Sequence, residues 1–318
     1  MKNNIAIISG NANAKLAKSI CSHLGLSLDP VLADRFPDGE IRAQIQANIR
    51  GKDVFIIQSI CTSPNDYLME LLILIDAARR ASAERVTAVL PYYGYARQDR
   101  KDRPRVPISA KLVANLIQTA GAHRVLTMDL HSGQIQGFFD IPVDHLYSIN
   151  VLCPYFLRKK MKNLVVASTD VGGIKMARAY AKRLNCPLAI VDKRRESESK
   201  THVMNIIGNV KGCDVVLVDD MVSTAGSLIE AVSALKKSGA INIYAAVVHP
   251  VLCGPAISRV QKSILKELVV TDTIPLLPEK KIAKIKVLSV AKLLGEAISR
   301  IHENQSVSSL FKTAGVEA

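Results

Sequence analysis

Residues 215–227 read "VVLVDDMVSTAGS", and the fold is decided by how this stretch is read. Val215-Val216-Leu217-Val218 is apolar without alternation, the mark of a strand covered on both faces of a parallel sheet. Asp219 and Asp220 follow. Then come the small residues Ser223, Thr224, Ala225, Gly226 and Ser227, ahead of the helical pattern "LIEAVSALKKSG". A small-residue loop that opens a helix suits an anion, because backbone N–H groups and the positive end of the helix dipole converge there. Two adjacent carboxylates repel an anion. A sugar phosphate reconciles the two halves: the loop takes the phosphate, and the carboxylates accept hydrogen bonds from the sugar hydroxyls. The plainer alternative is a capped helix behind a strand, with a solvated acidic pair. No GxxxxGK[ST] loop and no GxGxxG occurs in the chain, so a bound nucleotide is held by some other device.

The same strand–loop–helix pattern recurs on both sides of this stretch. Apolar runs of strand length lie at 5–9, 53–59, 85–91 and 124–130, and again at 163–169, 187–193, 214–220, 243–249 and 267–273. Helical periodicity fills the gaps at 65–81, 109–121 and 224–239. Ser109 reads as a cap and Gly121 as a stop. The spacing predicts an α/β protein with mainly parallel sheets flanked by helices. The pattern runs twice: one strand ends in "MDLHSGQ" and another in "VDDMVSTAG". Two related domains are therefore expected, 1–147 and 148–289, with the helix at 290–304 rejoining the first.

Composition sets outer limits. The chain has 318 residues, 48% of them hydrophobic, enough for two buried cores. It has no uncharged apolar run of membrane-spanning length and no secretory leader, so a cytoplasmic protein without a membrane partner is expected. Six cysteines are scattered without CxxC or zinc spacing and read as reduced thiols. The net charge of +14 favours anionic partners. No nucleic-acid-binding motif is present, and with 4% aromatics and no Trp a base-stacking surface is disfavoured. Basic runs such as "EKKIAKIK" (279–286) read as solvated faces.

Taken with three further stretches, the opening motif resembles a known family. "VVLVDDMVSTAGS" is similar to the ribose-5-phosphate signature of type I phosphoribosyltransferase-like folds. "RFPDGE" (35–40), "PYYGYARQDRK" (91–101) and "TMDLHSGQIQGFFDIPVDHL" (127–146) narrow the resemblance to the ribose-phosphate pyrophosphokinases. The motifs run in order along essentially the whole chain. The resemblance implies two phosphoribosyltransferase-like domains. It also implies transfer of the β,γ-diphosphoryl group of Mg–ATP to the 1-hydroxyl of ribose 5-phosphate, giving AMP and phosphoribosyl pyrophosphate for nucleotide, His and Trp biosynthesis. Such a reaction needs charge neutralisation, in-line positioning and exclusion of water.

By the same resemblance, Phe36, Asp38, Gly39, Glu40, Arg97, Gln98 and Asp99 meet ATP, and His131 and Asp170 hold Mg²⁺. Direct ligation of Mg²⁺ by an imidazole would be unusual, so His131 is also expected to act through water or on phosphate. Lys193 and Arg195 are the implied catalytic cations. Arg195, Asp219, Asp220, Ser223, Thr224, Ala225, Gly226 and Ser227 are implied to bind ribose 5-phosphate. A homo-oligomer, a hexamer built from dimers, is implied, with phosphate and ADP as effectors. Two positions depart from the pattern. The family commonly has Asp where Ser223 stands and Thr where Ser227 stands. A non-catalytic relative and a plain phosphoribosyltransferase are the alternatives. The first is opposed by the presence of Lys193, Arg195, His131 and Asp170, the second by "DLHSGQIQGFF" and "RQDRK".

Overall fold

The computed structural model describes residues 4–195 and 202–311; the side chains of residues 193–204 and 311 are outside the description. The chain divides into two units. The first comprises residues up to Tyr147, Thr273–Pro275 and Ser289–Phe311, and the second Ser148–Asp272 and Leu276–Leu288.

In the first unit, β1 (Ile5–Ser9), α1 (Ala14–Leu24), a hairpin of β2 (Val31–Arg35) and β3 (Ile41–Ile45), β4 (Asp53–Ile57), α2 (Pro64–Arg80), β5 (Arg85–Leu90), α3 (Ser109–Ala120), β6 (Arg124–Met128) and β7 (Val143–Leu146) follow one another. Five of the strands form a sheet in the order β1-β4-β5-β6-β7, while β2 and β3 pair only with each other. Every neighbour in the five-stranded sheet is parallel. Strand β4 is buried along its whole length, with an apolar run from Val54 to Ile57 behind the acid that opens it.

The second unit contains α4 (Ile149–Arg158), β8 (Val165–Ser168), α5 (Ile174–Leu184), β9 (Leu188–Arg195), β10 (His202–Ile207), β11 (Asp214–Val222), α6 (Gly226–Lys237), β12 (Asn242–Pro250), α7 (Ala256–Lys262), β13 (Glu267–Thr271) and β14 (Ile285–Leu288). Its sheet runs β10-β9-β8-β11-β12-β13-β14. All neighbours are parallel except β10, which returns antiparallel along β9. The expected α/β class with mainly parallel sheets therefore holds.

Some elements differ from the sequence reading. Strands β2, β3, β7, β10 and β14 were not expected. They are short or at sheet margins, where the apolar run is broken by charged or polar residues. The basic run at 279–286 contributes its end to the edge strand β14, so it is not wholly a solvated face. Ser109 is the first residue of α3 rather than its cap. Ile108 takes the cap position without a side-chain bond, and the Ser109 hydroxyl donates to Gln98 Oε1 at 2.6 Å. Gly121 does stop α3, at φ 115°, a left-handed turn that costs glycine little.

The helix α8 (Ala291–His302) belongs to the first unit and packs against α1. Its end is locked by a buried acid. Asp53 and Arg85 open adjacent strands in register. Arg85 grips the Asp53 carboxylate with Nε and Nη2 at 2.9 and 2.5 Å. The same guanidinium donates to the Ile301 carbonyl at 3.0 Å, and His302 Nδ1 lies 3.0 Å from Asp53 Oδ2. A buried carboxylate stripped of its cation is costly. Arg85→Met is expected to destabilise the fold by about 2 kcal/mol, below the full cost of a broken buried pair because Arg85 is partly solvated. Chemical denaturation checks this; an unchanged midpoint would show that the lock contributes nothing.

Candidate active site

In the second unit the chemistry gathers at the carboxyl end of β11, where ligands bind in open parallel sheets. Pairing of β11 with β8 stops at Val218 opposite Ser168. Pairing with β12 continues to Val222 opposite Pro250. The strand therefore outruns its β8 neighbour, and the acids lie on this overhang rather than after the strand's end.

Asp219 is half-buried and accepts two hydrogen bonds. Its Oδ2 accepts from the Thr169 hydroxyl at 2.7 Å, and its Oδ1 from the Asp220 amide at 2.9 Å. Burial above all, and then the adjacent Asp220 carboxylate, push the Asp219 carboxyl up to about 8; a hydrogen bond to Asp220 and the charge of Asp170 add to the rise, and the Thr169 hydroxyl opposes it. Three carboxylates thus act on one point of the sheet edge. Asp170 follows β8 on the exposed side and caps the turn into α5, its Oδ1 accepting from Gly173 N at 2.9 Å. Thr169 was not singled out from the sequence, although it lies beside Asp170 in the strand-end stretch already flagged.

Beyond the acids the chain bends into the loop 223–227. Ala225 is the cap of α6, at φ 59° and ψ 11°, a left-handed conformation that costs a non-glycine residue on the order of 1 kcal/mol. Strain of this kind persists only where surrounding bonds enforce it. No bonded acceptor is found for the backbone N–H groups of Ser223, Thr224 and Ala225 among the described residues. Gly226 and Ser227 open the first turn of α6, where amides have no partner within the helix. Five successive amides therefore line one short loop. Ser223 Oγ lies 3.1 Å from Cys253 Sγ, and Arg259 Nη1 donates to the Thr224 carbonyl at 3.0 Å. Cys253 and Arg259 were missed by the sequence reading. They lie 30 and 35 residues from their partners, and only the parallel pairing of β11 with β12 brings them close.

Lys193 and Arg195 occupy the last positions of β9, opposite Met204 and His202 of β10. Their side chains are outside the described residues.

The first unit holds the remaining candidates. Phe36, Asp38, Gly39 and Glu40 form the exposed β2–β3 turn. Gly39 takes φ 97°, and its amide donates to the Phe36 carbonyl at 2.9 Å. Asp38 Oδ1 accepts from the Glu40 amide at 3.1 Å. Phe36 is 44% exposed with the Arg42 guanidinium 5.3 Å from its ring centre, a large apolar face left to solvent. Arg97 and Gln98 are exposed and Asp99 half-buried in the loop between β5 and α3. Gln98 is tied at both ends, its carbonyl accepting from Ala110 N at 3.1 Å and its side chain from Ser109. His131 is exposed just past β6. The preceding turn is fixed by Asp129, with φ 39°, and by Leu130 N donating to His145 Nε2 at 2.9 Å.

These arrangements can be set beside known proteins. A family model described as the N-terminal domain of ribose phosphate pyrophosphokinase matches residues 5–121. Another, a phosphoribosyl synthetase-associated domain, matches residues 196–312. The ribose-phosphate pyrophosphokinase of Caldanaerobacter subterraneus subsp. tengcongensis is 57% identical over 310 residues, covering 97% of this chain and 98% of that protein. The chain belongs to the ribose-phosphate pyrophosphokinase family. The Campylobacter jejuni pyrophosphokinase is 55% identical over 305 residues, 96% of this chain and 98% of its own length. The crystal structure of the phosphoribosylpyrophosphate synthetase from Mycobacterium smegmatis superposes with a TM-score of 0.90 at 40% identity, covering 95% of this chain and all of that one.

As a ribose-phosphate pyrophosphokinase the chain is an enzyme that makes phosphoribosyl pyrophosphate from ATP and ribose 5-phosphate. No helix among the described residues is long and apolar enough to cross a membrane.

The raised Asp219 carboxyl has a thermodynamic signature. An Asp that keeps its proton in the folded state but loses it near pH 4 when unfolded stabilises the fold below about pH 4, and this contribution is lost as pH rises to about 8. Between about pH 6 and about pH 9, wild-type Tm is expected to fall more than that of Asp219→Asn, whose side chain cannot ionise. Thermal unfolding of the two proteins checks this; parallel curves would refute it.

Proposed function

We propose that the first unit carries the nucleotide-binding loops and that the second binds ribose 5-phosphate. Residues 1–147 with 290–304 form a phosphoribosyltransferase-like domain bearing the ATP-binding loops, and 148–289 form a second that holds ribose 5-phosphate. The observation that carries this reading is the succession, at one edge of the sheet, of a hydrogen-bond-accepting acid pair and a loop whose Ser223, Thr224 and Ala225 amides have no bonded acceptor among the described residues. Asp219 and Asp220 accept from the ribose hydroxyls. Ser223, Thr224, Ala225, Gly226 and Ser227 hold the 5-phosphate, with the N-terminus of α6 adding its positive dipole end.

On the nucleotide side, Phe36 offers its exposed ring to the adenine. Asp38 and Glu40 accept from its amine, and Gly39 shapes the turn that presents them. Arg97 and Gln98 contact the nucleotide, with Asp99 orienting them. The sugar 1-hydroxyl oxygen then attacks the β-phosphorus, the bond from that phosphorus to the α,β-bridging oxygen breaks, AMP leaves, and the hydroxyl proton is released to water. Lys193 and Arg195 stabilise the negative charge growing on the transferring group and on the bridging oxygen, where they contribute more than in the ground state. Arg195 also contacts the sugar phosphate.

The residues present fit Mg²⁺. Mg²⁺ is ordinarily held by one or two carboxylates together with waters and substrate phosphates, so it needs no cluster of three protein ligands, and none occurs among the described residues; the exposed carboxylate of Asp170 is an oxygen donor of the required kind. Asp170 is the protein ligand best placed for it. His131 serves through water or by donating directly to phosphate. When bound, the ion neutralises and orients the triphosphate. A cytoplasmic homo-oligomer, a hexamer, with phosphate and ADP as effectors completes the proposal.

The test is release of AMP from Mg–ATP and ribose 5-phosphate, run with and without phosphate. Lys193→Ala is expected to lower kcat by roughly 10²–10³-fold, the range seen when one preorganised electrostatic donor is removed. Near wild-type turnover in that variant would remove Lys193 from the mechanism.

A further inference from the structure

Three consecutive carbonyls, from the end of β11 into the loop, are anchored to the stretch that runs from Leu252 into α7. Leu252 N donates to the Val222 carbonyl at 2.9 Å, and Cys253 N to the Ser223 carbonyl at 3.0 Å. Arg259 Nη1, from the last turn of the short helix α7, donates to the Thr224 carbonyl at 3.0 Å. In a trans peptide the C=O of one residue and the N–H of the next point in opposite directions. The chain has no cis peptide bond among the described residues. Fixing these three carbonyls on one side therefore turns the N–H groups of Ser223, Thr224 and Ala225 to the other. Those are the amides without a bonded acceptor.

Arg259 is the member of this frame that belongs to a side chain. Its guanidinium also lies against Gly226, where an added Cβ would stand 3.3 Å from Nη1. It is exposed, so little of the core rests on it. It bonds to the carbonyl that precedes Ala225, the residue held in the left-handed conformation. Without that bond the 224–225 peptide is free to rotate toward a less strained arrangement, carrying the Ala225 N–H out of line.

We propose that Arg259 is a positioning residue for ribose 5-phosphate: by pinning the Thr224 carbonyl it aims the Ala225 amide into the phosphate cradle. This rests on the reading that 223–227 holds the 5-phosphate. Leu252 and Cys253 fix the two preceding peptides through their backbone, so their contribution survives changes of side chain. Arg259 alone is open to substitution.

The experiment is steady-state kinetics on Arg259→Ala, Arg259→Lys and Thr224→Ala in the full-length enzyme. Arg259→Ala is expected to raise KM for ribose 5-phosphate about tenfold, the scale of one charge-assisted hydrogen bond, with kcat and KM for ATP kept within about threefold. Arg259→Lys is expected to recover part of the loss, since an ammonium can still donate to the carbonyl. Thr224→Ala, which removes the hydroxyl donor that the loop offers the phosphate beside its amides, is expected to raise the same KM. A raised KM in Thr224→Ala beside an unchanged one in Arg259→Ala overturns the role of Arg259 and leaves the cradle standing. An unchanged KM in both overturns the cradle reading and this inference with it. Loss of kcat and of ATP affinity together in Arg259→Ala also overturns it, because that is the mark of general structural damage.

Discussion

The second unit depends on one asymmetry in pairing. Strand β11 is hydrogen-bonded on both sides along Val215–Val218 and, beyond that, on the β12 side. The doubly bonded part is buried and fixes the strand's direction and register. The overhang then delivers two acids, a bend and a helix in sequence at one edge of the sheet. Because β11 and β12 run parallel, their carboxyl ends, and the loops that leave them, open on the same edge of the sheet. This brings the 252–259 segment against the 222–224 carbonyls. The packing of four apolar residues thus decides where amides thirty residues away find their support.

Acids at the two ends of these parallel strands do different things. At the amino ends they are satisfied: Asp53 is gripped by Arg85, and Asp214 accepts from Lys162 N at 3.0 Å and from Asn242 Nδ2 at 2.8 Å. These groups tie strands and helices together. At the carboxyl end of β11, Asp219 faces two other carboxylates and receives a hydroxyl and an amide. Its charge is resisted by its surroundings. Groups held against their ordinary ionisation cluster where ligands bind, so the electrostatics and the topology single out the same edge.

The sequence made the fold class readable because continuous apolar runs bounded by turn residues carry a strong signal. Val215–Val218 and the wholly buried β4 are the clearest instances. Marginal strands such as β14 did not stand out, since they are half-solvated and interrupted by lysine. The acids and the small-residue loop were visible as a motif. Their supports, Thr169, Cys253 and Arg259, were not, because each acts through a contact made only when distant strands pair. Ser109 shows the converse error. Its type suits a cap, yet its hydroxyl is spent on Gln98, and local preference gave way to a tertiary bond.

A cradle built from backbone amides has a further property. Amide protons do not ionise near neutral pH, and a guanidinium stays charged throughout, so the phosphate end of such a clamp carries no titration of its own. There the binding of a phosphate ester follows the ester's second ionisation, near pH 6. Because the main chain makes the cradle, the side chain at 223 is free to vary. Ser223 turns its hydroxyl to Cys253 and leaves the amide row untouched. A carboxylate can thus be exchanged for a hydroxyl in the middle of a phosphate loop during evolution without dismantling it.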